Sequence, residues 1–200
     1  MQTPYKELFS WQQPELIAQE LIKNWGENGF IWLDGDNSQL GRWVTIAVDP
    51  IEQRCCRGLP GNINSSNPFN ILRDLNHGHW TGWLSYEAGA WLEPYNPWKT
   101  DEMATLWIAS HDPILKFDLQ NKQLWLEGIN KERYQKFSKW LNAVSQIKIK
   151  EDKSAHIPIR SWEWLTNKSD YIKKVKYIKK LIYKGDIFQA NLAACCSTIL

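Results

Sequence analysis

Ile114-Leu-Lys-Phe-Asp-Leu-Gln-Asn-Lys-Gln-Leu-Trp-Leu126 is the stretch on which the fold class turns. Residues 114–117 and 123–126 are rich in branched and aromatic side chains, the composition of strands. Between them lies only Asp118-Leu-Gln-Asn-Lys122. A connection that short predicts an antiparallel hairpin.

Working outward, residues 106–109 read as a further strand, as do 30–33 and 43–48, the last two separated by the polar loop of residues 34–41. Residues 80–87 read as a strand leading into a Gly-, Pro- and Asn-rich loop. Helical spacing appears in Leu16, Ile17, Leu21, Ile22 and Trp25, and again in Tyr134, Phe137, Trp140, Leu141 and Val144. A shorter helix is expected after Asn67, which suits an N-cap, with Pro68 in the first helical position. Antiparallel strands interrupted by helices indicate an α+β fold, antiparallel sheets with flanking helices. Residues 1–145 are expected to form one domain and residues 162–200 the start of another. Between them, the polar stretch 146–161, broken by Pro158, is the expected linker.

The chain has 200 residues, 43% of them hydrophobic and 23% charged, an ordinary composition for a chain with its own core. Its thirteen tryptophans are the outlier, and they are expected to fill that core. A net charge of +2 is too small to indicate a nucleic-acid partner. Lys173, Lys176, Lys180 and Lys184 share one helix face, read as a solvated face. No apolar run is long enough to span a bilayer and residues 1–15 lack a signal-peptide pattern, so a cytoplasmic protein without a membrane partner is expected. Cys55-Cys56 and Cys195-Cys196 are adjacent pairs, neither a disulfide framework nor a zinc spacing, and one sulfur of each is expected to be buried. The His77-Gly-His79 segment reads as a turn. No catalytic or metal-binding residues emerge from spacing.

The last forty residues are the most specific. Tyr171, Ile172, Val175, Ile178, Leu181 and Ile182 lie on one helical stripe, with Ser169 or Asp170 expected as the cap and Gly185 as the left-handed stop. A strand is expected after it, with Gln189 and Asn191 on one face. The run Gly185-Asp-Ile-Phe-Gln-Ala-Asn-Leu-Ala193 after this helix resembles the opening of the chorismate-binding domain in component I of aminodeoxychorismate synthase and of anthranilate synthase. Gly82-Trp-Leu-Ser-Tyr-Glu-Ala-Gly89 with Leu92-Glu93, Leu33-Asp34 with Gly41-Arg42-Trp43, Asp49-Pro50, Asn67-Pro68-Phe69 and Phe117-Asp118 follow in the same order as in that family.

The resemblance implies ammonia transfer to chorismate, a glutamine amidotransferase subunit as partner, and Mg2+. The family's catalytic lysine, general-acid glutamate and magnesium-binding glutamates have no counterpart in these residues, so the chain is expected to be an N-terminal part without its own turnover. The nearest alternatives are an anthranilate synthase fragment or a non-catalytic module that binds an amino acid or a partner. Gln189 and Asn191 are the substrate-proximal candidates. Asp34, Gly35, Leu40, Gly41, Arg42 and Trp43 are the candidates for a tryptophan or effector site, with Gly35 standing where the family commonly has Ser. On that reading Gly35→Ser is expected to strengthen tryptophan binding. Tyr86 and Glu87 are expected to be structural.

Overall fold

Residues Ile114–Asp118 and Gln123–Gly128 do pair as an antiparallel hairpin, with Phe117 opposite Leu124 and Leu115 opposite Leu126. The computed structural model describes residues 5–95, 97–99, 102–145 and 162–198. Two compact units divide the chain, residues 1–150 and 151–200. The expected linker, 146–161, lies outside the described residues.

The first unit runs β1 (Tyr5–Phe9), α1 (Pro14–Trp25), β2 (Ile31–Leu33), β3 (Trp43–Ala47), β4 (Glu52–Cys56), α2 (Pro68–Arg73), β5 (His79–Leu84), a 3-10 turn at Tyr86–Trp91, β6 (Leu106–His111), β7 (Ile114–Asp118), β8 (Gln123–Gly128) and α3 (Lys131–Ser145). Five strands form one antiparallel sheet in the order β1-β8-β7-β3-β2, and three form a second in the order β4-β6-β5. This is the α+β architecture that the hairpin and the flanking helical stripes imply.

Alternation along β3, β7 and β8 puts Val44, Ile46, Leu115, Phe117, Leu124 and Leu126 on one face of the larger sheet. Ile17, Ala18 and Leu21 from α1 and Tyr134, Phe137, Leu141 and Val144 from α3 join them in one core. Each large side chain fully buried there contributes about 1.5–3 kcal/mol of transfer free energy. The tryptophans do not fill this core. Trp11, Trp25, Trp32 and Trp140 pack against it half-buried, and Trp43, Trp83, Trp162 and Trp164 are exposed. Trp32 and Trp140 bury their indole N–H without a hydrogen-bond partner, a cost that works against seating such rings deeper. Aliphatic residues and phenylalanine occupy the centre instead.

Other expectations need correction. The strand expected over 80–87 ends at Leu84, because the backbone coils into the 3-10 turn that carries Tyr86 and Glu87. Strands β1 and β4 are additional to those read from the sequence. Four of the five residues of β1 are exposed, and three of the five in β4, so neither shows an apolar run. Asn67 does cap α2, its side chain accepting from the Phe69 amide at 2.9 Å, with Pro68 following.

In the second unit, β9 (Glu163–Trp164) precedes α4 (Lys168–Lys184) and pairs antiparallel with β10 (Cys196–Ser197). The cap of α4 is Asn167, not Ser169 or Asp170; its Oδ1 accepts from the Ser169 amide at 2.8 Å. A cap side chain must reach amides two or three residues ahead, which places it before Lys168. Gly185 closes the helix at φ 82° as expected. The strand expected over 187–193 does not form; the only regular pairing after α4, among the described residues, is β10. Alternation alone makes no strand without a neighbour to complete its backbone hydrogen bonds.

Candidate functional site

The loop joining β2 to β3 is built by short polar side chains that turn back onto their own backbone. Asp34 Oδ1 accepts from the Gly35 amide at 3.0 Å, Asp36 Oδ1 from the Ser38 amide at 2.9 Å, and Ser38 Oγ from the Gly41 amide at 2.9 Å. These are the local turns that Asp and Ser favour. Ser38 also holds the Asp36 carboxyl below its ordinary range. A backbone bond from Asn37 to the Gly41 carbonyl, 3.0 Å, closes the loop.

Arg42 leaves the loop and grips the neighbouring β7–β8 turn. Its Nε donates to Asp118 Oδ1 at 2.8 Å and its Nη2 to Asp118 Oδ2, a bidentate pair. Asp118 is 0% exposed and also accepts from the amides of Gln120 and Asn121, each at 3.1 Å, and from Asn121 Nδ2 at 3.0 Å. The Arg42 hydrogen bonds are the largest cause holding the Asp118 carboxyl far below the usual carboxylate range, and the same contact pushes Arg42 up. The Leu119 amide donates to the Arg42 carbonyl at 3.0 Å and Gln120 Nε2 to the Ser38 carbonyl at 3.3 Å, so the two turns are laced together. Arg42 also lies over the Trp43 ring, 5.1 Å from its centre.

Of the six residues expected around an effector slot, Asp34, Gly35, Gly41 and Arg42 are thus tied into the turn itself. Leu40 stands 98% exposed and Trp43 is also exposed. A Cβ on Gly35 would sit 2.4 Å from the Gly41 carbonyl oxygen and 2.7 Å from that of Trp43. Gly35→Ser therefore has no room in this loop, and the expectation that it simply adds a hydroxyl to a slot is corrected by that contact. Asp118 was visible in the sequence only as a motif residue; its place at the head of a tight polar turn was the available signal for its role.

In the second unit, the stretch from Ile187 to Ala194 is irregular, and both Gln189 and Asn191 are exposed. The structure does not place them on one strand face. Nearby, Trp164, Thr166, Lys168, Tyr171 and Ala194 wall an open cleft of about 530 Å³. The cleft is framed by hydrogen bonds: the Cys195 amide to Thr166 Oγ1 at 2.8 Å, the Leu165 amide to the Cys195 carbonyl at 3.0 Å, and Tyr171 Oη to the Leu192 carbonyl at 3.4 Å. Of these lining residues only Tyr171 carries a sequence signal, as part of the helical stripe; the others come from separate short segments with no shared pattern. Cys195 and Cys196 are both exposed, which corrects the expectation of one buried sulfur; only the Cys55-Cys56 pair shows it, with Cys56 buried.

Tyr86 packs its ring 5.5 Å from Trp98 and is otherwise exposed. Among the described residues no three His, Cys, Asp or Glu side chains come together as a metal site. No described helix is long and apolar enough to cross a membrane.

Comparison with known proteins extends the resemblance beyond single motifs. An anthranilate synthase component I-like protein of Synechocystis sp. (strain ATCC 27184 / PCC 6803 / Kazusa) is 28% identical over 175 residues, covering 78% of this chain. The chain spans 35% of the length of that relative. Residues 30–200, from the start of β2 through the irregular stretch that carries Gln189 and Asn191, match the family described as chorismate binding enzyme. The chain belongs to that chorismate-binding family.

Proposed function

We propose that these residues form part of component I of an aminodeoxychorismate synthase, which converts chorismate and ammonia to 4-amino-4-deoxychorismate on the way to p-aminobenzoate and folate. The observation that carries the reading is the family match over residues 30–200. Within the family, Gln189-Ala-Asn-Leu-Ala193 resembles the aminodeoxychorismate enzymes, since anthranilate synthases more often have Pro near the Asn191 position. A glutamine amidotransferase subunit supplies the ammonia on this reading, and Mg2+ is held by residues other than these. The chain by itself is expected to bring about no turnover, because charge stabilisation at the reacting carbon needs groups that match no residue here.

Anthranilate synthesis is the second reading, favoured by the description of the Synechocystis relative. We infer further that the 34–43 loop acts as a clasp between two turns, not as a tryptophan slot. The commitment of Arg42 to Asp118 and the lack of space at Gly35 support this. Complementation separates the readings. A bacterium lacking its own aminodeoxychorismate synthase component I should grow without p-aminobenzoate when this chain is co-expressed with the C-terminal region of a component I relative. Rescue of a tryptophan-requiring strain instead supports anthranilate synthesis. Rescue of neither strain favours a non-catalytic module.

A further inference from the structure

His111, at the end of β6, is 1% exposed. Its Nε2 lies 2.8 Å from the Gly29 carbonyl oxygen, and Nδ1 has no hydrogen-bond partner. A carbonyl only accepts, so the neutral ring carries its proton on Nε2 and leaves Nδ1 bare. The ring thereby joins the three-stranded sheet to the turn that feeds β2 of the five-stranded sheet. That turn is tightly seated: Gly29 sits at φ 69°, and a Cβ there would lie 2.5 Å from the Pro50 ring.

The charged groups around the ring are already committed. Asp49, just past β3, pairs with Arg133 of α3 at 3.0 Å, and Arg133 Nε donates to the Asp112 carbonyl at 2.6 Å. The Asp112 carboxylate accepts from the amides of Ile129 at 2.7 Å and Asn130 at 2.6 Å. His79, opposite His111 on β5, is exposed. A second ring proton would therefore place a buried cation near Arg133, met only by the Ala109 carbonyl and by Asp49, which is already paired with Arg133. Burial is the largest cause holding His111 below the ordinary histidine value, with the Arg133 charge acting the same way; the Gly29 and Ala109 carbonyls and the Asp49 charge offset part of it.

We propose that His111 is an acid-sensitive fastener: neutral, it holds the turn before β2 against the end of β6, and on protonation the ring leaves its buried seat and releases that turn. The sign follows from linkage. The unfolded chain binds this proton more readily, so the contribution is complete above about pH 6.5 and is lost as pH falls below it. From pH 7.5 to 5.5 this histidine lowers the folded-to-unfolded ratio by at most about tenfold, the limit set by an unfolded histidine value of about 6.5.

Two measurements on the 200-residue chain test this, and neither involves chorismate. Urea unfolding at pH 7.5 and 5.5 should show a loss of stability on acidification that His111→Gln largely removes, since glutamine can still donate to Gly29. An equal loss in the variant overturns the proposal. Nitrogen-detected NMR of the unmodified chain should show His111 as the Nε2–H tautomer, titrating below a histidine peptide. Amides of residues 27–33 should lose protection in step with it. A midpoint at or above that of the peptide, or unchanged protection as the ring titrates, overturns the proposal even if His111→Gln does not fold.

Discussion

Asp118→Asn is the sharpest perturbation of the clasp. The carboxylate is 0% exposed and receives five hydrogen bonds, two from Arg42, two from backbone amides and one from Asn121 Nδ2. An amide keeps one acceptor oxygen but turns a donor toward donors. The loss of one charge-assisted hydrogen bond is worth about 1.5–3 kcal/mol. For a unit of this size each kcal/mol moves the melting temperature by roughly 2–4 °C, so a fall of about 5–10 °C is expected at pH 7. The pH dependence is the stricter check. Because the Asp118 carboxyl is held below its unfolded value of about 4, its contribution is present above that pH and lost as pH falls through the lower range. Thermal unfolding followed by circular dichroism between pH 7 and pH 3 should therefore show the gap between the two proteins narrowing toward the acid end. A variant that melts with the parent at pH 7, or a gap as wide at pH 3 as at pH 7, refutes the reasoning.

Gly82→Ala should destabilise the three-stranded sheet, because a Cβ there would lie 1.9 Å from the Trp107 carbonyl oxygen. A lower urea midpoint with weakened amide protection in β6 is the expected result. Asn167→Ala removes the α4 cap and should reduce stability by about 1 kcal/mol, read as faster amide exchange in the first turn of that helix. Gly35→Ser should lower the melting temperature without producing tryptophan binding by calorimetry, since the added side chain meets the carbonyls of Gly41 and Trp43.

The parts of the fold legible in sequence were those whose patterns are local and buried. The Leu115/Phe117 and Leu124/Leu126 pairs announce the hairpin, and Asn67-Pro68 announces α2, because each signal is complete within a few residues. β1 and β4 were not legible: Tyr5, Lys6, Glu7 and Leu8 are all exposed, and the strand exists because β8, far along the chain, offers an edge that pairs Tyr5 with Gly128. The stretch around Phe188 shows the opposite failure, an alternating pattern without a paired strand. For the candidate site, motif order identified the loop and the terminal stretch. What Arg42 does there depends on Asp118, 76 residues distant, a pairing that no local pattern encodes.

Product identity separates aminodeoxychorismate from anthranilate synthesis. The chain, co-expressed with the C-terminal region of a component I relative, should be incubated with chorismate, ammonia and Mg2+, and the products resolved by liquid chromatography and mass spectrometry. 4-Amino-4-deoxychorismate is expected from the pair and none from the chain alone. Anthranilate from the pair, or aminodeoxychorismate from the chain by itself, contradicts that expectation.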